Sequence, residues 1–330
     1  MNKYIGYTCS YTPVEILSAT GFKPYRLLHG NAALSLKGDE MARIDACPLV
    51  KSNLGYVLQN QERFVALVGS TGCDMARRMF DIVNTETKIP VYLFNNPRTD
   101  NAQIYHDEIE WLFAELENLS GRQLTEQVIK GESEKWERIR QNLRAVDAKR
   151  AHEPSLVSTT DFHEALIRYH QGDIDERMPE VRAAVSKKPR VYLLGSPIPY
   201  EGHQLLEQIE HHMRIVGDFN CGLSRVLNIR IERNDRPGIV KAYFSQPPCI
   251  FKRPNILFYE WIIRRARELN CTGVIAYTLD YCDNYEFELK KIEQKLKLPV
   301  LRIRSDFSFQ NVNQLRTRIE AFAEMLGVNG

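Results

Sequence analysis

The sequence predicts an α/β protein built as two doubly wound parallel-sheet domains facing a cleft, with a helical segment between them. Three observations predict it. A unit of apolar strand, Cys-Asp pair, helix and Pro-Val strand start occurs twice, within FVALVGSTGCDMARRMFDIVNTETKIPV and CTGVIAYTLDYCDNYEFELKKIEQKLKLPV. Its Cys-to-Pro spacing is 17 residues in both copies, from Cys73 to Pro90 and from Cys282 to Pro299. Between the copies, IYHDEIEWLFAELENL and SEKWERIRQNLRAV read as helices. These features place an N-terminal α/β domain at 1–101, a helical segment and linker at 102–188, and a C-terminal α/β domain at 189–330.

Taken in order, the stretch from Tyr4 to Tyr7 reads as a short strand and Cys9-Ser10 as a turn. Thr12 and Pro13 then open a helix as N-cap and first-turn residue, with Glu15 placed to suit the helix dipole. Gly21 ends that helix, and Tyr25 to Leu28 reads as the next strand. In DACPLVKSNLGYVL, Pro48 follows Cys47 and stiffens its loop. The first Cys-Asp unit leads through PVYLFN into helices over 102–150, where Trp111, Leu112 and Leu116 have core-facing spacing. A linker over 148–160 precedes the helix DFHEALIRYHQG. From Pro189 the chain alternates again: the strand RVYLLG, the helix HQLLEQIEHHM, and the strand RIVGDF with Cys221 just beyond it. A loop carrying Cys249, the helix ILFYEWIIRRARELN and the second Cys-Asp unit follow. Cys271 precedes its strand and so lies at the opposite sheet end from Cys282.

The cysteines carry the chemistry. A Cys just before a helix N-terminus sits near unpaired N–H groups and the positive dipole end, which favours its thiolate. At the strand-to-helix turn of an open α/β sheet, such a group stands where ligands collect. With the two domains facing each other, Cys47, Cys73 and Cys282 converge, with Cys221 and Cys249 close by. No Cys-x-x-Cys pair occurs. His163 and His170 are seven residues apart on one helix, about 10 Å along its axis, too far to share a metal. Structural zinc is therefore disfavoured, whereas widely spaced thiolates suit an iron-sulfur cluster. Three protein ligands on a four-iron cluster leave one iron open to a substrate. Ser10, close to a helix N-terminus, is a candidate anion or carbonyl site.

Composition excludes other classes. The 330 residues carry a net charge of +2 and no long basic run, which gives no reason to expect nucleic acid. The start MNKYIGYTCSYTPVE lacks the apolar core of a signal peptide, and no apolar run reaches membrane-spanning length. A cytoplasmic protein without membrane contact is expected, in which seven Cys serve metal, redox chemistry or packing rather than disulfides.

The segments TCSYTPVEILSATGFKPYRL, CPLVKS, STGCDMARRMF, VYLLGSPI, DYCDNYEFE and QLRTRIEAFAEML resemble the 2-hydroxyacyl-CoA dehydratase D-component family. That family includes benzoyl-CoA reductase subunits and double-cubane cluster proteins. The resemblance runs from about Tyr4 to Leu326. It implies an oxygen-sensitive enzyme subunit holding a 4Fe-4S cluster through Cys47, Cys73 and Cys282, acting on an acyl-CoA substrate by one-electron, ketyl-radical chemistry. It also implies an ATP-dependent activator with its own iron-sulfur cluster, and a homodimer or a heterodimer with a related subunit. By motif position Ser10 is the candidate donor to the substrate carbonyl or hydroxyl, and Glu15 a candidate for proton handling or else a helix-dipole partner. Two further readings stay open. One is an ATP-dependent reductase with a double-cubane 8Fe-9S cluster, for which Cys221, Cys249 and Cys9 are possible additional ligands, although YVLQNQERF lacks a Cys common in such members. The other is a non-catalytic cluster-binding subunit. Arg304 and Asn313 stand where the family usually has Glu and Gly.

Overall fold

A computed structural model describes residues 3–152, 157–173, 188–308 and 312–328. Two four-stranded sheets organise it. The first contains β1 (Tyr4–Tyr7), β2 (Lys23–Arg26), β3 (Phe64–Ser70) and β4 (Val91–Phe94), in the order β2-β1-β3-β4. The second contains β5 (Arg190–Gly195), β6 (Arg214–Phe219), β7 (Gly273–Leu279) and β8 (Val300–Ser305), in the order β6-β5-β7-β8. All neighbouring strands run parallel. The two orders are the same pattern, so the Cys-Asp repeat read from the sequence belongs to a repeated topology. In each half the third strand carries the Cys-Asp pair at its carboxyl end and the fourth begins at the Val of Pro-Val.

Helices supply the crossovers. In chain order they are α1 (Val14–Ala19), α2 (Ala32–Asp39), α3 (Pro48–Gln59), α4 (Asp74–Glu86), α5 (Ala102–Ser120), α6 (Glu126–His152), α7 (Thr159–His170), α8 (His203–His212), α9 (Arg236–Phe244), α10 (Ile256–Glu268), α11 (Asp283–Leu296) and α12 (Val312–Val328). Among the described residues no helix is long and apolar enough to cross a membrane.

The central strands are apolar on both faces because helices cover both, as parallel sheets require; every residue of β7 is buried. Gly195 ends β5 with φ +127°, and a Cβ there would meet the Tyr277 carbonyl oxygen at 1.7 Å. Only glycine fits that junction of β5 with β7.

Several local expectations need correction. Thr12 does not cap α1: Pro13 takes the N-cap position, the Thr12 hydroxyl has no hydrogen-bond partner among the described residues, and the Val14 amide donates to the Tyr243 hydroxyl instead (3.1 Å). Tertiary contact has replaced the local cap. The second strand lies two residues earlier than read, at Lys23–Arg26. α6 continues through His152, so the first part of the expected linker is helical; 153–156 lie outside the described residues. Trp111 is 39% exposed and rests edge-on against Tyr92, whereas Leu112 and Leu116 are fully buried. The apolar stripe of α5 is narrower than its spacing suggested.

His163 and His170 are both buried on α7. Burial holds His163 down at about 4 and His170 well below the usual imidazole value. A group depressed in the folded state contributes stability that is complete above its unfolded pKa and lost as pH falls through the folded one. The protein is therefore expected to lose stability from about pH 6.5 downward, with His163 alone accounting for on the order of 3 kcal/mol by about pH 4. Urea midpoints measured across that range, with His163→Gln flattening the acid limb, check this.

Candidate functional site

The carboxyl ends of both sheets open onto one cavity of about 170 Å³. It is lined by six of the seven cysteines: Cys9, Cys47, Cys73, Cys221, Cys249 and Cys282. Cys271, at the amino end of β7, is elsewhere, as the sequence implied. The topology explains the gathering. The strand order reverses between β1 and β3 and again between β5 and β7, and such switch points leave a crevice beyond the strand ends. Cys9 follows β1, Cys73 follows β3 and Cys282 follows β7.

Cys47, Cys73 and Cys282 form a first trio with a common geometry. Each is the N-cap residue of a helix, α3, α4 and α11 respectively. Pro48 is the first residue of α3, so the Cys-Pro pair also stands at a helix start rather than within a loop. The dipole nevertheless does not prevail. Burial pushes the Cys73 thiol up to about 11 and raises Cys47 and Cys282 too, against first-turn amides and, for Cys282, the Ser196 hydroxyl. The expected thiolates are therefore neutral thiols in the metal-free chain, because desolvation outweighs the partial charge of a helix end.

Cys9, Cys221 and Cys249 form the second trio. The Cys221 loop is wound on two buried side chains. Asp218 Oδ1 accepts from the amides of Asn220 (3.1 Å) and Ser224 (3.0 Å), and Asn220 Oδ1 accepts from those of Ile198 and Gly222 (both 2.9 Å). Cys221 and Cys249 lie close enough for each to shift the other's titration. That contact, with Arg225, Arg26 and Ser10, pulls Cys221 well below the usual thiol range, and Cys249 is raised correspondingly.

Ser10 lines the cavity and is buried. Its Oγ accepts from Arg225 Nη1 (2.9 Å) and lies 3.9 Å from Cys221 Sγ. With Arg225 occupying an acceptor position, the hydroxyl proton is left to donate, and Cys221 Sγ stands within its reach. Glu15 is placed differently. It is fully buried, does not line the cavity, and forms an ion pair with Arg140 of α6 at 2.6 Å.

Sequence reasoning passed over three cations at this site. Arg26 lines the cavity and donates to the carbonyls of Thr8 (3.2 Å) and Cys221 (2.6 Å). Arg225 also donates to Gln246 Oε1 (3.0 Å), the Tyr11 hydroxyl (3.3 Å) and the Pro247 carbonyl (2.8 Å). Lys252 donates to Asn96 Oδ1 (3.0 Å) and the Pro97 carbonyl (2.6 Å), and burial lowers it to about 8. The only trace of Arg225 in the sequence was its place four residues after Cys221, in the turn that the cysteine shares.

Among the described residues no three His, Cys, Asp or Glu side chains converge as a single metal ion would need. Six soft sulfur donors ring a space instead, a donor set suited to a polynuclear iron-sulfur group.

Comparison with known proteins fits this geometry. Residues 9–326 match the family described as 2-hydroxyglutaryl-CoA dehydratase, D-component. The chain is 22% identical to the (R)-phenyllactyl-CoA dehydratase beta subunit of Clostridium sporogenes, over 98% of this chain and 92% of that one. It is equally 22% identical to the beta subunit of (R)-2-hydroxyglutaryl-CoA dehydratase of Acidaminococcus fermentans, again over 98% and 92%. A benzoyl-CoA reductase subunit of Thauera aromatica is 25% identical over 49% of this chain and 44% of its own. Among solved structures, the SBP FpvC of P. aeruginosa in complex with Ni2+ covers 100% of this chain and 98% of its own at 10% identity, with a TM-score of 0.27, too slight a likeness to bear on fold or function.

The Glu15 geometry yields a test. Removing one partner of a buried ion pair leaves an uncompensated charge, so Glu15→Gln is expected to cost about 3 kcal/mol of folding stability. Denaturant titration measures the loss; full stability in that variant would return Glu15 to consideration as a group free for proton transfer.

Proposed function

Because the chain belongs to the 2-hydroxyglutaryl-CoA dehydratase D-component family, we propose that it is the iron-sulfur subunit of a low-potential enzyme, with its six cavity thiols holding one double-cubane 8Fe-9S cluster. The observation that carries this is the presence of six cysteines on a single cavity. Cys9 supplies the sixth thiol that YVLQNQERF lacks. A cluster of this kind supplies electrons at potentials that few organic donors reach, and an ATP-dependent activator is its natural source of them. The chain's own residues do the rest. Cys47, Cys73 and Cys282 hold one side from three helix starts and surrender their protons on loading, which makes cluster uptake release acid. Cys9, Cys221 and Cys249 hold the other. Ser10 directs its hydroxyl proton into the cavity, as a donor to a substrate carbonyl or hydroxyl.

An acyl-CoA substrate takes support from a groove of about 910 Å³ whose Pro248 and Lys252 flank the cavity-lining segment Cys249 to Phe251 and which presents Arg98, Arg230, Arg264 and Trp261, cations and an aromatic face suited to a phosphorylated nucleotide carrier. The relatives named as beta subunits support assembly with a related chain.

A second reading is a dehydratase subunit with a 4Fe-4S cluster on Cys47, Cys73 and Cys282 alone. It is favoured by the geometry these three alone share, each standing at the N-cap of a helix.

Iron and acid-labile sulfide per chain, after oxygen-free purification, separate the two. We expect about eight irons in the wild type, with a loss in both Cys73→Ala and Cys221→Ala. About four irons, lost with Cys73→Ala and kept in Cys221→Ala, would establish the second reading instead.

A further inference from the structure

Buried charges in this chain come in two kinds. Arg140 is paired with Glu15 and Glu137, and Arg150 with Asp147 and Asp218. Arg26, Arg225 and Lys252 are also buried, at 1%, 1% and 8% exposure, yet among the described residues none has a carboxylate within ion-pair distance. Their hydrogen-bond acceptors are neutral: carbonyls, amide oxygens and the hydroxyls of Ser10 and Tyr11. Arg225 Nε has no partner among the described residues. Burying a cation without a counter-charge is costly, and a protein that does so at three adjoining positions is holding them for something negative.

All three adjoin the second trio. Arg26 touches the Cys221 carbonyl, Arg225 stands behind Ser10 and ties down Pro247 beside the Cys249 loop, and Lys252 lies three residues after Cys249 in that loop. No cation is among the leading influences on Cys47, Cys73 and Cys282, which stand instead at helix starts. We propose that Arg26, Arg225 and Lys252 form a counter-charge shell for an anionic guest of the cavity, set asymmetrically on the side of Cys9, Cys221 and Cys249. The inference rests on the iron-sulfur reading: thiolate-ligated iron-sulfur clusters are net anions. The shell holds the reduced, more negative form better than a neutral wall would, which raises the cluster's potential and its retention. These are positioning residues that act through charge and need not touch a substrate.

The test compares Arg225→Gln, Arg225→Lys and Arg26→Gln with the wild type in the full-length chain, both metal-free and reconstituted without oxygen. Three readouts are used: iron per chain after passage over a chelator, the midpoint potential by optical redox titration, and the melting temperature of each form. Removal of charge is expected to lower the midpoint potential and the retained iron in both Gln variants, and Arg225→Lys to stay near the wild type. The metal-free Gln variants are expected to melt no lower than the metal-free wild type, since among the described residues no carboxylate pairs with the charge they lose. Unchanged potential and iron retention in both Gln variants would overturn the shell. So would equal losses in Arg225→Gln and Arg225→Lys accompanied by a lower metal-free melting temperature, which would make the guanidinium a structural tie. A wild type that takes up no iron would overturn the iron-sulfur reading and the shell with it, whereas a loaded wild type with indifferent variants overturns the shell alone.

Discussion

The site depends on the strut made by α6. Its Arg140 is bonded to Glu15 of α1, in the first half of the chain, and its Arg150 to Asp218 of β6, in the second, both at 2.6 Å. Ten residues of helix separate the two arginines, about 15 Å along the axis. Between them Arg144 donates to the carbonyls of Leu227 and Ile229, each at 3.1 Å. A rigid helix pinned at both ends by buried, paired charges fixes how far apart the two repeated sheets sit. Asp218 then does two jobs: it anchors the strut through one oxygen and organises the turn carrying Cys221 through the other. The placement of the second trio is thus tied mechanically to the joint between the halves.

Electrostatics within the cavity follow from burial more than from helix ends. A helix N-terminus offers about half an elementary charge, screened by its own hydrogen bonds, while removing a thiolate from water costs more than that returns. The first trio therefore stays protonated until a metal supplies whole positive charges. The second trio differs because guanidinium charges already stand beside it, and Arg225 and Arg26 help to pull Cys221 down.

Much of this was legible in the sequence, for identifiable reasons. Apolar runs of seven residues such as GVIAYTL are too regular to be anything but buried strands, and the Cys-Asp repeat marked the same turn in each half. The two parallel sheets and the placement of Cys73 and Cys282 at helix starts followed. What the sequence withheld depends on long-range contact. Nothing in PYRLL distinguishes Arg26 from a solvated arginine, since its burial is set by the Cys221 carbonyl 195 residues away. Glu15 looked available for proton transfer because Arg140 lies in a different helix, and Thr12 looked like a cap because Tyr243 was not yet in view.

The repeated topology also explains why the cavity is asymmetric. Equivalent positions in the two halves follow β1 and β5, β2 and β6, and β3 and β7. After the third strands the residues agree, Cys73 and Cys282. After the first strands they differ: two residues beyond β1 stands Cys9, and two beyond β5 stands Pro197. After the second strands they differ in the opposite sense, with Leu28 two residues beyond β2 and Cys221 two beyond β6. Each half therefore contributes one thiol of the second trio from non-equivalent strands, and Cys249 completes it from the connection between β6 and β7, where the matching connection of the first half, between β2 and β3, carries Cys47. A duplicated scaffold fixes where side chains are presented, while substitution at equivalent positions decides their chemistry. The shared Cys-Asp turns give the cavity its common floor, and the divergent turns set Ser10 and Cys221 against Arg225 and Arg26.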